Sequence, residues 1–119
     1  MLSFFKPKGT AMNIRKIDAD FSVTGQITPA EIEAVSAAGF KSIVCARPDN
    51  EEHDQPGFDA VARAAEAQGL QIVHIPVSGM LGEGQIIRFH EAWAQLPKPV
   101  LGYCRSGARA GSLYATLRR

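Results

Sequence analysis

Cysteine is scarce in this sequence: Cys45 and Cys104 are the only two, and no C-x-x-C or Cys/His zinc spacing occurs. That excludes a disulfide framework and a structural zinc site of the usual lettering. Charge of one sign is also lacking. Thirteen Lys and Arg stand against twelve Asp and Glu, a net charge of +1, so no global field draws the chain to nucleic acid or to an anionic membrane. No apolar run approaches the ~18 residues of a membrane span. The apolar start, Met1–Phe5, is too short for a secretory signal and lacks a cleavage pattern. Internal repeats and low-complexity tracts are missing as well. Unpaired thiols fit a reducing compartment, so a cytoplasmic location is expected.

What is present is an ordinary globular composition, 45% hydrophobic and 21% charged over 119 residues, enough for one domain with its own core. Residues 1–12 read as a flexible leader and residues 13–119 as a single catalytic domain. Strand and helix patterns alternate from Phe21 onward. Phe21-Ser22-Val23 reads as a short strand, and Thr28-Pro29-Ala30-Glu31 has the lettering of a helix start, with Thr as cap, Pro at the first position and Glu closing a capping box. Gly39 is placed to end that helix. Ser42–Ala46 is a continuous apolar run of the kind buried on both faces of a sheet. Helices are expected over 58–68, 85–96 and 108–117, with strands at Gln71–Ile75 and Val100–Tyr103. The fold class that follows is α/β: a mostly parallel sheet of four to five strands with helices on both faces. Ligands bind such sheets beyond the carboxyl ends of the strands, where loops 47–57, 76–84 and 104–109 gather.

The third of these loops carries the chemistry. Cys104-Arg105-Ser106-Gly107-Ala108-Arg109 lies between a buried strand and a helix. Unpaired N–H groups and the positive end of the dipole make a helix start an anion site. A thiol there, beside arginines, falls from ~8.5 toward ~3.5–7.5. Gly107 allows the backbone to turn its amides onto one centre, and Arg109 offers a planar fork for two oxygens of an anion. Arg105, Ser106, Gly107, Ala108 and Arg109 are therefore the expected anion-binding set around Cys104. A buried strand-end thiol beside a glycine turn is the plainer alternative, and the order strand, Cys, Gly, Arg, helix weighs against it. The other reactive side chains read as structural: Cys45 as core, His74 as a strand residue with a satisfied ring, His90 as packing. His53, beside Glu51, Glu52 and Asp54, has only a weak metal spacing.

Several separate segments together carry a resemblance: Val23-Thr24-Gly25-Gln26, Ala38-Gly39-Phe40, Arg47-Pro48-Asp49, His74-Ile75-Pro76-Val77-Ser78-Gly79 and Cys104–Arg109. In this order they resemble the beta-lactamase-hydrolase-like phosphatase domain family, also catalogued as a sulfur transferase family, from about Met12 to Leu117. The resemblance implies a tyrosine-phosphatase-like fold with the cysteine loop after a central parallel strand. It also implies that Arg47, Asp49 and Ser78 line the mouth of the site.

Two chemistries then compete, both using a thiolate nucleophile. Tyrosine phosphatase loops resemble C-x5-R with His before the cysteine, whereas this chain has C-x4-R with Tyr103 before it. The lettering C-x-x-G-x-R is that of rhodanese-like sulfurtransferases. A phosphatase also needs an acid for its leaving group; the resemblance implies an Asp after Val77, but Ser78-Gly79-Met80 stands there, leaving Asp49 as a stand-in and Glu83 as the nearest carboxylate downstream. Persulfide chemistry on Cys104 is accordingly the leading expectation. The first alternative is a tyrosine- or dual-specificity-like phosphatase working through phosphocysteine, and the second a non-catalytic anion-binding module. No cofactor or metal is expected. The expected partner is a small sulfur-containing or phosphate ester anion, with a protein acceptor and self-association left open, and no nucleic acid or membrane.

Overall fold

The computed structural model describes residues 12–118, so the expected leader over residues 1–12 lies, up to residue 11, outside the described residues. Five strands form one sheet: β1 (Arg15–Lys16), β2 (Phe21–Thr24), β3 (Ser42–Cys45), β4 (Gln71–His74) and β5 (Val100–Tyr103). Their order is β1-β2-β5-β3-β4. β1 runs antiparallel to β2 and the other pairings are parallel. β5 therefore sits in the middle, with Tyr103 opposite Thr24 of β2 on one side and Cys45 of β3 on the other.

Four α-helices cover the sheet: α1 (Ile32–Ala37), α2 (Phe58–Ala67), α3 (Glu83–Gln95) and α4 (Ala108–Ala115). The helix expected at Thr28 begins with a short 3-10 turn over Pro29–Glu31, and the Glu31 carboxylate accepts from the Thr28 amide at 2.8 Å, as a capping box requires. Gly39 closes α1 with φ +100°, the left-handed value that glycine adopts without penalty.

Alternation along the strands sorts the core into two layers. Ile43 and Cys45 of β3 and Leu101 and Tyr103 of β5 pack with Ile32, Val35, Val61 and Ala65 from α1 and α2. Val44 and Ala46, together with Val100 and Cys104, pack against Phe89, Ala110, Leu113 and Tyr114 from α3 and α4. Buried on both faces, β3 and β5 read as unbroken apolar runs for this reason. Phe21 stacks on Tyr114 at 4.3 Å between ring centroids and meets Trp93 edge-on.

Only one strand escapes the sequence pattern. β1 is two residues long, and both are exposed, so it carries no alternation to detect. No helix among the described residues is long and apolar enough to cross a membrane.

Candidate functional site

Cys104 follows the last residue of the central strand. Its amide donates to the Thr24 carbonyl at 3.4 Å, and the preceding Tyr103 carbonyl accepts from Ala46 at 2.8 Å, so both neighbouring strands anchor the start of the loop. The chain then turns at Gly107, which caps α4 with φ +96°. The Gly107 amide lies 3.1 Å from the Cys104 sulfur. A second glycine makes the loop fit. A Cβ added at Gly25 would lie 2.9 Å from the Arg105 carbonyl oxygen, which accounts for glycine in the Val23–Gln26 segment.

Cys104 is fully buried, and burial alone raises a thiol. The amides of Ala110, Ser106, Arg109 and Gly107 oppose that effect and hold Cys104 below its ordinary value. Backbone donors stabilise the thiolate here, as a helix N-terminus does. Along this loop Arg105, Ser106 and Ala108 are exposed, while Gly107 is buried and Arg109 half-buried. The five residues expected to bind an anion are thus gathered on one turn, and Arg15 of β1 reaches it too, donating to the Ser106 carbonyl at 3.4 Å.

Arg109 is held from the other loops. Its Nη1 donates to Glu51 Oε2 at 2.7 Å and to the Val77 carbonyl at 2.9 Å, and its Nη2 donates to Glu51 Oε1 at 2.9 Å. Glu51 also accepts from Arg47 Nε at 2.8 Å. These two guanidinium groups push the Glu51 carboxyl down to about 2.

Arg47 was expected at the mouth of the site and is instead 2% exposed. Its remaining nitrogens donate to Gln26 Oε1 and Glu52 Oε1, each at 2.9 Å. A buried charge persists only when it is paired and hydrogen-bonded, and each nitrogen of this one has a partner that no local pattern announces. Asp49, expected as a stand-in acid, instead accepts from the Phe58 amide at 2.8 Å and so caps the start of α2. Ser78 is exposed next to Val77, whose carbonyl contacts Arg109. Glu83 is the first residue of α3 and is exposed.

Glu51 and Glu52, weighed in the sequence only as neighbours of His53 with a weak metal spacing, are the residues that sequence reasoning passed over. No local signal singles them out, because Arg47, Arg105 and Arg109 converge on that loop only in the folded chain. Arg105 completes the set through Glu52 Oε2 at 3.4 Å.

The second thiol belongs elsewhere. Cys45 packs in the α1/α2 layer and Cys104 in the α3/α4 layer, on opposite faces of the sheet. Burial pushes Cys45 up to about 11. His74 places Nε2 2.8 Å from the Arg47 carbonyl and stacks on Phe58, while His90 meets the Thr116 hydroxyl at 2.8 Å. Among the described residues, no three or more His, Cys, Asp or Glu side chains are grouped to hold a metal ion.

A mostly parallel sheet with helices on both faces, its central strand followed by a Cys-to-Arg loop at a helix start, gives a tyrosine-phosphatase-like α/β fold. Residues 13–118 match the family described as "Beta-lactamase hydrolase-like protein, phosphatase-like domain", and the chain belongs to that family. It is 40% identical over 104 residues to the beta-lactamase hydrolase-like protein of Agrobacterium fabrum, covering 87% of this chain and 24% of that one. The corresponding protein of Xylella fastidiosa is 39% identical over 105 residues, with the same coverages. This chain therefore spans about a quarter of the length of these curated relatives.

Among solved structures, a candidate phosphatase from Neisseria meningitidis is 34% identical, with a TM-score of 0.79 over 88% of this chain and 75% of that chain. The core catalytic domain of a PP-IP phosphatase from S. cerevisiae shares the fold at 17% identity, with a TM-score of 0.66 over 89% of this chain and 64% of its own.

Proposed function

We propose that this domain is a thiolate-dependent phosphatase that hydrolyses phosphate monoesters with acidic leaving groups through a phosphocysteine at Cys104. The observation that carries the reading is the buried Cys104 sulfur facing the Gly107 amide in a loop that starts a helix, set in a phosphatase-like family. The thiolate attacks phosphorus, the loop amides and Arg109 hold the non-bridging oxygens, and the P–O bond to the leaving group breaks. Water then attacks the phosphocysteine, releasing inorganic phosphate and the thiolate.

The leaving group is restricted by what the carboxylates already do. Asp49 caps α2, and Glu51 is held ionised between two arginines. A carboxyl held down to about 2 is almost never protonated near neutrality, so it is a poor proton donor. Rates should fall steeply as the departing oxygen becomes more basic.

Sulfur transfer, the leading expectation from sequence, has lost that place to phosphate ester hydrolysis because the family and its structural relatives are phosphatase-like. One observation keeps it as a second reading: the six-residue span from Cys104 to Arg109, one residue shorter than a C-x5-R loop. Persulfide formation needs no acid for its leaving group, because thiolates and sulfite depart readily. A non-catalytic anion-binding module is the remaining alternative. The reducing conditions that a thiolate site requires support a cytoplasmic location.

One experiment separates these readings. The purified protein is assayed on a series of aryl phosphates of graded phenol acidity, and its intact mass is measured after thiosulfate. Turnover that rises with phenol acidity and is lost in Cys104→Ser is the expected result. A sulfur adduct on Cys104 with no ester turnover would instead establish persulfide chemistry.

A further inference from the structure

The short strand β1 brings an arginine to the cysteine loop from outside. Arg15 is the register partner of Val23 in β2, and directly opposed residues of an antiparallel pair share a face of the sheet. Val23 packs in the same layer as Cys104, so Arg15 stands on the face where α4 begins. Its Nη1 donates to the Ser106 carbonyl at 3.4 Å. Its Nη2 lies 3.3 Å from the place that a Cβ on Gly107 would take. The guanidinium therefore lies along the Ser106–Gly107 peptide.

That peptide is trans, and the C=O and N–H of a trans unit point in opposite directions. Its carbonyl meets Arg15, and its N–H is the Gly107 amide, 3.1 Å from the Cys104 sulfur. Glycine on one side makes a flip of this peptide cheap, and a flip would turn the carbonyl oxygen toward the thiolate. A guanidinium on the carbonyl opposes the flip. It also polarises the unit, which strengthens the N–H as a donor.

Stability alone would not place a cation here. A helix start disfavours positive charge, and the first turn of α4 holds no acidic residue to offset it. Arg105 and Arg109 already stand on the same loop. Among the described residues Arg15 forms no ion pair with a carboxylate.

We infer that Arg15 is a positioning residue that holds the Ser106 carbonyl outward, so that the Gly107 N–H stays set on the Cys104 sulfur. The inference rests on the reading of Cys104 as the nucleophile, and it serves phosphate or sulfur chemistry alike. The other ionisable side chains that bear on Cys104 are Arg109, whose guanidinium lies against it, and Cys45, which burial keeps neutral. Neither is altered in the test.

The test compares Arg15→Met, which keeps length without a donor, with Lys16→Met. Lys16 is the next residue of β1, and its side chain leaves from the opposite face. Both positions are exposed, so both variants should melt near the wild-type temperature. Two measurements that need no turnover are made on each: alkylation of Cys104 by iodoacetamide against pH, and hydrogen exchange of the Gly107 amide by NMR. In R15M the alkylation inflection should rise by about 0.5–1 pH unit, which is about three- to tenfold less thiolate below both inflections. The Gly107 amide should exchange roughly tenfold faster, while the amides of β5 keep their protection. K16M should match the wild type in both.

A wild-type inflection in R15M would overturn the inference. So would a raised inflection with unchanged Gly107 exchange, because that pattern belongs to a lost charge and not to a released peptide. Equal changes in K16M would overturn it as well. A wild-type protein inert to phosphate esters, with both readouts still dependent on Arg15, would remove the phosphatase reading and leave the inference standing. If R15M does not fold, Arg15→Gln, shorter and uncharged, carries the same test. Both readouts should move as in R15M, and wild-type values in R15Q would overturn the inference.

Discussion

The Gly107 amide lies 3.1 Å from the Cys104 sulfur, and Gly107 itself adopts φ +96°, the turn that carries the chain from that amide into α4. A side chain in that conformation costs roughly 1–2 kcal/mol. An added Cβ would also press on the Thr24 carbonyl and Val23 at 3.4 Å and on the Arg15 guanidinium at 3.3 Å. Gly107→Ala should therefore destabilise the domain and move the amide off the sulfur together. Iodoacetamide alkylation against pH would read the second effect: the wild-type inflection should lie below the ~8.5 of a free cysteine, and the alanine variant should shift upward. A wild-type inflection at the free-thiol value would show that the amides do not stabilise the thiolate.

Arg109→Lys is not a conservative change here. An ammonium can neither accept the end-on grip of Glu51 on two nitrogens nor present a second pair of donors to an anion. The expected loss in kcat/KM corresponds to ~2–4 kcal/mol, the scale of removing one preorganised donor. Unchanged kcat/KM in the lysine variant would place Arg109 outside the reaction.

Gly25→Ala tests how the sheet supports the loop. Its new methyl would meet the Arg105 carbonyl at 2.9 Å, and backbone on both sides leaves little room to yield. The loop should lift, so activity should fall more than stability. Thermal melting and kcat/KM measured on the same sample would separate the two, and a variant with full activity would mean that the loop tolerates displacement.

Alkaline pH should destabilise the domain beyond the ordinary effect of charge. Burial raises Cys45 to about 11, and it raises the neighbouring Tyr103 hydroxyl further. Both stay protonated in the folded state while the unfolded chain ionises near ~8.5 and ~10. Their contribution is complete below those values and is lost as pH rises through them toward the folded values. Melting temperature should decline between about pH 8.5 and 11, less steeply in Tyr103→Phe. Identical slopes in the two proteins would remove Tyr103 from the effect.

Much of this architecture is legible without coordinates. Buried apolar runs marked β3 and β5, glycine closed α1 and α2, and the capping lettering at Thr28–Glu31 matched a real carboxylate-to-amide bond. These signals are local, set by backbone sterics and by which faces of an element are wet. The Cys104–Arg109 loop is legible in the same way as a candidate site, because its thiol, glycine and arginine are spaced within one turn.

Other features are decided by contacts between residues far apart in the chain. Glu51 meets Arg109 across 58 positions, and nothing near either residue distinguishes that carboxylate from its solvated neighbours. The contacts of Arg47 and Asp49 were out of reach of the sequence for the same reason: a buried pairing partner and a vacant helix amide are supplied by other segments. The two thiols likewise lie at the ends of adjoining strands, Cys45 in β3 and Cys104 just after β5, yet they face opposite cores. Local lettering by itself determined which elements form and where the cysteine loop begins. Tertiary structure alone decided which charges meet around that loop, because an ion pair depends on distance through space and leaves no periodic trace along the chain.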